Sequence, residues 1–166
     1  MSVYRDNMVP NSDELGIYHV HGFLPRNTVG YDRLSESLLV FSEEGYHSLY
    51  SNPYEWSNIT QLNYLRENTC LMIGLSLSDP NLRRLLEISS NMSETSRHFV
   101  ILKRQNIFLK GDNDNIGIIF SNVNEHIQEK SFSELGLDVI WVEDYDDIPK
   151  IINSIKNREI TTRSEE

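Results

Sequence analysis

The chain of 166 residues carries a net charge of −10, 39% hydrophobic residues and a single cysteine. Its length suits one domain with a moderate core, and its acidity argues against a broad nucleic-acid surface, because phosphates are repelled. One cysteine excludes an internal disulfide and a four-cysteine zinc site; with no signal peptide at the start and no long apolar run, a cytoplasmic protein that does not enter a membrane is expected.

Met1 to Leu15 is polar, with Pro10, Asn11, Ser12 and Asp13, and is expected to be extended or loosely ordered. Ile17 to His21 is a short β-prone run closed by Gly22, and Ser37 to Ser42 is another. A short helix is expected through Tyr46 to Tyr50. Asn52-Pro53 signals a turn, after which Trp56, Ile59, Leu62 and Leu65 recur every third residue as a helical stripe up to Glu67. Cys70 to Ile73 is an apolar run of the kind found in a strand buried on both faces. Gly74 ends it, and Ser78-Asp79-Pro80 opens a helix, with Ser or Asp as the cap and Pro in the first turn. Leu82, Leu85 and Leu86 give that helix one apolar face.

Arg97 to Lys103 is a further strand, and Lys110 to Asn115 reads as an exposed loop. Ile116 to Lys130 suits a helix, with Ile119, Val123 and Ile127 spaced by four, and Gly136 suits a helix end. Leu137 to Val142 is a clear strand. Glu143 to Asp147 is an acidic loop leading into a helix N-terminus, the end of the macrodipole that favours acids. Ile148, Ile151, Ile152 and Ile155 then form one apolar face, and 158–166 is a charged tail. Alternating strands and helices imply an α/β fold, a parallel sheet with flanking helices and right-handed crossovers. Such sheets bind ligands at the carboxyl ends of their strands, where Gly74 to Ser78, Lys103 to Gln105, Glu143 to Tyr145 and His21-Gly22 all fall.

Cys70 to Leu86 reads as strand, glycine turn and helix. That is half of a nucleotide-binding βαβ unit or a plain packing unit, and no GxGxxG loop decides between them. His19 and His21 flank Val20 and point to one face if the strand continues. Two ligands are too few for a recognisable metal site, so no metal is expected. His21 at a strand end is either a general base or a satisfied structural histidine. Ser76 and Ser78 lack the elbow of a serine hydrolase. Arg83-Arg84 is expected on the exposed side of its helix. The aromatic residues Tyr46, Tyr50, Tyr54, Trp56 and Tyr64 are expected to pack helices.

Two stretches together carry a family resemblance. Ile17-Tyr-His-Val-His-Gly-Phe-Leu-Pro25 resembles the His-Gly segment of sirtuin-like (silent-information-regulator-like) domains, and Cys70 to Leu86 resembles their Gly-x-Ser segment. A helical insert, about 43–68, separates them, and Asp138 to Tyr145 with its following helix looks like the family's last strand and helix. The resemblance implies a Rossmann-like fold over 1–157 that takes NAD as substrate. It places His21 as the catalytic histidine, Gly74 and Ser76 along the NAD ribose and phosphates, and Asp144 and Tyr145 near adenine. Leu75 stands where protein-deacylating members commonly have Thr, and Lys103-Arg104 where many have Asn.

The lone cysteine departs from the zinc module of the deacylases, so the resemblance is to zinc-free, defence-associated bacterial NAD hydrolases. In these, His21 would polarise or deprotonate a water or ribose hydroxyl as the nicotinamide–ribose bond breaks. Neither a Gly-Ala-Gly-Ser turn nor a Thr-Asn-Tyr-Asp segment occurs in this sequence. The expectation is therefore the C-terminal portion of such a domain, with the first βαβ half absent. It would be inactive or nearly so alone, with open sheet edges that favour a homo-oligomer or a complementing chain. The contrasting expectation is a non-catalytic nucleotide-binding or oligomerisation module.

Overall fold

Short apolar runs and longer amphipathic stretches alternate along the chain and fold into parallel sheets flanked by helices. The structure, a computed structural model, describes residues 1–37, 39–40, 43–92, 98–105 and 114–157. Strand β1 (Ser2–Val3) pairs in parallel with β2 (Ile17–Tyr18), matching Ser2 to Ile17. Helices α1 (Glu43–Ser51) and α2 (Trp56–Glu67) follow. Then β3 (Leu71–Met72), α3 (Pro80–Met92), β4 (His98–Lys103), α4 (Asp114–Ser133), β5 (Leu137–Val142) and α5 (Ile148–Asn157) alternate. The second sheet has the order β3-β4-β5, all parallel, with Leu71 opposite Phe99 and Val100 opposite Val139. This is the α/β, Rossmann-like arrangement that the alternation implies.

The core lies on one face of that sheet. Leu65 of α2, Leu85 and Leu86 of α3 and Phe132 of α4 close over Met72, Val100 and Leu137. The three leucines of α3 fall on this side because their spacing returns to one face every turn. Polar bonds tie the helices: Ser89 Oγ donates to the Leu65 carbonyl at 3.2 Å.

Several expectations need correction. Of the two expectations for the leading segment, its start is extended, as β1, and not loosely ordered, with Val3 and Tyr4 only 1% and 2% exposed. Tyr4 stacks on Phe23 at 5.1 Å, a contact across the sequence that no local pattern announces. Strand β3 is an edge among the described residues, half-buried at Leu71, and Ile73 just past it is 39% exposed. The strand buried on both faces is β4, with Val100 0% and Ile101 2% exposed. A four-residue apolar run has too little length to separate edge from centre.

Arg83 and Arg84 are half-buried rather than exposed. Arg83 donates to the Leu77 carbonyl at 3.2 Å, and Arg84 donates to the Tyr50 carbonyl at 2.6 Å while lying over the Tyr50 ring. The expected strand at Ser37 to Ser42 lies partly outside the described residues. Its described part is not strand, although Val40 N–H donates to the His21 carbonyl at 3.1 Å. Most of the Lys110 to Asn115 loop, Arg97 and the 158–166 tail also lie outside them. Among the described residues no helix is long and apolar enough to cross a membrane.

Candidate functional site

The turn from β3 into α3 is built on two left-handed residues. Gly74 has φ of +71°, and an added Cβ there meets nothing within 4 Å. Leu77 adopts φ of 55° despite its side chain, which is 2% exposed and packed in the core. Burial thus outweighs the backbone strain that a left-handed Leu carries. On either side of Leu77 the Ser76 and Ser78 hydroxyls lie 2.7 Å apart. Asp79 caps α3, accepting from the Asn81 and Leu82 amides at 2.7 and 3.1 Å.

His21 comes to this same turn from the other sheet. The strand ends at Tyr18, and Gly22 N–H donates to the His19 carbonyl at 3.1 Å, so the chain turns over His19 to Gly22. The two histidines therefore do not form a strand pair. His19 packs on Phe23 with ring centroids 4.3 Å apart, whereas the half-exposed His21 places Nε2 at 3.9 Å from Asp79 Oδ2. The other oxygen, Oδ1, accepts the Tyr46 hydroxyl as well as the two helix amides. Burial pushes the Asp79 carboxyl up. The Tyr46 hydroxyl, the two amides and the His21 charge together outweigh it and hold the carboxyl below its ordinary range. For Tyr46, burial and the Asp79 carboxylate push the phenol up. Sequence reasoning assigned Asp79 only a capping role and Tyr46 only packing. The Ser-Asp-Pro signal located the carboxylate but not what faces it.

A cleft of about 520 Å³ opens at the carboxyl ends of β3, β4 and β5. Gly74, Ser76, Lys103 and Tyr145 line it. Asp144 flanks it by pairing with Lys103 at 2.9 Å, and Lys103 lies 5.5 Å from the centre of the Tyr145 ring. The hydrogen bond and charge of Asp144 raise the Lys103 amine, and Lys103 in turn lowers the Asp144 carboxyl. Arg104 pairs with Glu125 and with Glu143, the latter at 3.1 Å. Of the residues singled out from sequence, the fold brings Gly74, Ser76 and Tyr145 to one cleft with Asp144 at its edge. His21 does not line it and sits at the far end of the 74–79 turn, beside Asp79.

Helix α4 contributes a wall that sequence reading missed. Its half-buried Asn124 and Gln128 line the cleft, while Ile119, Phe120, Val123 and Ile127 are 60%, 56%, 50% and 62% exposed. An apolar repeat identifies a helix without saying which side faces the sheet. Here the polar side faces the cleft.

Among the described residues no three His, Cys, Asp or Glu side chains come together as metal ligands. A family described as a SIR2-like domain matches residues 1–133. The chain belongs to the SIR2-like family. The matched stretch contains His21, Gly74, Ser76 and Asp79, and ends before Asp144 and Tyr145. The chain is also 26% identical over 155 residues to the NAD(+) hydrolase ThsA of Enterococcus faecium, covering 90% of this chain and 30% of that protein. It thus spans about a third of the length of the relative it matches.

Proposed function

We propose that this SIR2-like chain carries part of an NAD-cleaving site, with NAD as its substrate. The observation that supports the reading best is the convergence of Gly74, Ser76 and Tyr145 on one cleft at the carboxyl ends of three parallel strands, the place where such sheets bind nucleotides. The residues present suit that ligand. The cleft falls within the usual range of ligand pockets, roughly 300–1,000 Å³. Gly74 lets a phosphate or ribose approach the backbone. The Ser76 hydroxyl and Asp144 carboxylate offer partners for ribose hydroxyls, and Tyr145 offers a ring face for adenine.

In the reaction, the bond between nicotinamide and ribose breaks and a bond from water to the ribose carbon forms. Nicotinamide leaves neutral, and one proton from the water is released. His21 accepts that proton, or polarises a ribose hydroxyl beside it. The likeness to a ThsA-type NAD hydrolase favours a role in anti-phage defence in the cytoplasm of a bacterium. Alone, the chain binds NAD weakly and turns it over slowly at best. The test is nicotinamide release from NAD by the purified chain, with His21→Ala as control. Fast turnover that persists in His21→Ala sinks the histidine's role; fast turnover lost in the variant overturns only the claim of slowness.

A second reading, a nucleotide-indifferent assembly module, is favoured by the edge of β3, unpaired among the described residues, and by the exposed apolar side of α4. It takes the chain to form a homo-oligomer or to complement another chain. Sedimentation with and without NAD separates the readings: a stable dimer that ignores NAD supports assembly.

A further inference from the structure

His21, Asp79 and Tyr46 come from three separate parts of the chain and meet at one point. Asp79 Oδ1 is fully committed, to the Tyr46 hydroxyl and to the Asn81 and Leu82 amides. These bonds fix the carboxylate's rotation, because α3 supplies two of the donors and α1 the third. Oδ2 is left facing His21 Nε2 at 3.9 Å. Capping alone explains Oδ1. It does not explain a phenol reaching across from α1 to lock the carboxylate, nor a second oxygen turned toward the histidine.

We propose that Asp79 is a positioning residue for His21, itself locked by the Tyr46 hydroxyl. The inference rests on the NAD-cleaving reading for its catalytic consequence and on the geometry alone for the contact. With Nε2–H turned to the carboxylate, Nδ1 is the nitrogen left to accept a proton from water or a ribose hydroxyl. The imidazolium then formed lies beside an ionised carboxylate that stays ionised throughout. The 3.9 Å separation exceeds a direct hydrogen bond and leaves a single side-chain rotation of the half-exposed ring to close it. The main chain of His21 is held meanwhile by the Val40 amide, so the ring moves and its base does not.

The contact is tested on the full chain without any turnover. The Asp79 carboxyl is followed by carbon NMR across acid pH in the wild type, His21→Gln and Tyr46→Phe. The midpoint is expected to rise in both variants, since each removes a group that favours the ionised form. An unchanged midpoint in His21→Gln overturns the proposal, because a carboxylate that only caps α3 does not sense the ring. The consequence is tested by single-turnover release of labelled nicotinamide. Asp79→Ser keeps a capping oxygen and removes Oδ2. Release is expected to slow on the order of tenfold to a hundredfold, with NAD affinity and melting temperature close to wild type. Equal rates in Asp79→Ser and wild type overturn the positioning role. If the wild type releases no nicotinamide at all, the cleaving reading fails for this chain, while the carboxyl titration still decides the contact.

Discussion

The side-chain amide of Asn81 donates to Asn58 Oδ1 at 2.8 Å, with both residues only 1% exposed. Asn58 spends its own two amide hydrogens on the Leu49 and Asn52 carbonyls, each at 2.9 Å. One buried side chain therefore joins the end of α1, the loop after it, α2 and α3. Asn58→Ala leaves two carbonyls and the Asn81 amide without these partners. A loss of roughly 2–3 kcal/mol is expected, read by urea denaturation. A loss no greater than that of an exposed substitution such as Tyr54→Ala would contradict this account.

Leu77 sets burial against backbone strain at one position. Leu77→Ala keeps the left-handed φ and deletes a core side chain, for a cost of about 3 kcal/mol. Leu77→Gly deletes the same side chain but relieves about 1 kcal/mol of strain. The glycine variant is expected to be at least as stable as the alanine variant, the reverse of their usual order inside a regular element. Paired melting curves of the two variants decide it.

His98 is 1% exposed; its Nδ1 accepts the Cys70 amide at 3.2 Å, and its Nε2 is buried without a hydrogen-bond partner among the described residues. Burial lowers its pKa. The unfolded chain therefore binds a proton more readily than the folded one as pH falls through about 6.5. Its contribution to stability is complete above that value and is lost progressively below it. Protonation also places a second donor against the Cys70 amide. Melting temperature measured from pH 8 to pH 5.5 should fall less steeply in His98→Gln than in the wild type.

Helix α4 turns Asn124 and Gln128 into the cleft and leaves Ile119, Val123 and Ile127 exposed. Gln128→Leu in the cleft is expected to raise stability by up to about 1 kcal/mol by adding apolar contact. Under the proposed function it weakens nucleotide binding. Calorimetric titration with NAD and with AMP, beside thermal melts, checks both halves. A variant that gains stability and binds as tightly as the wild type removes α4 from the site.

Asp144 and Lys103 form an exposed pair that carries little structural weight. Asp144→Asn should leave the melting temperature near wild type while lowering nucleotide affinity. The reverse pattern, a lower melting temperature with unchanged affinity, would make the pair a structural link between β4 and the β5 loop.

Strands β4 and β5 were readable as strands because each carries a four-residue run rich in β-branched and aromatic residues, 99–102 and 139–142, and α2, α3 and α5 because their apolar spacing repeats over several turns. Strand β1 was not readable, since two residues have no period and their pairing partner lies at Ile17–Tyr18. The cleft was readable in outline, because Gly74, Ser76 and Tyr145 all follow strands of one parallel sheet. Asn124 and Gln128 were not, because an apolar stripe on α4 suggested the opposite side as the informative one.

Local chemistry alone determined the α/β alternation, the glycine turn after β3, the capped start of α3 and the resemblance to SIR2-like domains. Each depends on residues close in sequence or on their order. Only the tertiary structure decided that β3 is an edge, that α4 turns its amides inward, and that Asp79 faces His21. Those relations join positions tens of residues apart, such as 21, 46 and 79. Chain closure and packing bring them together, and no periodicity of the sequence records that.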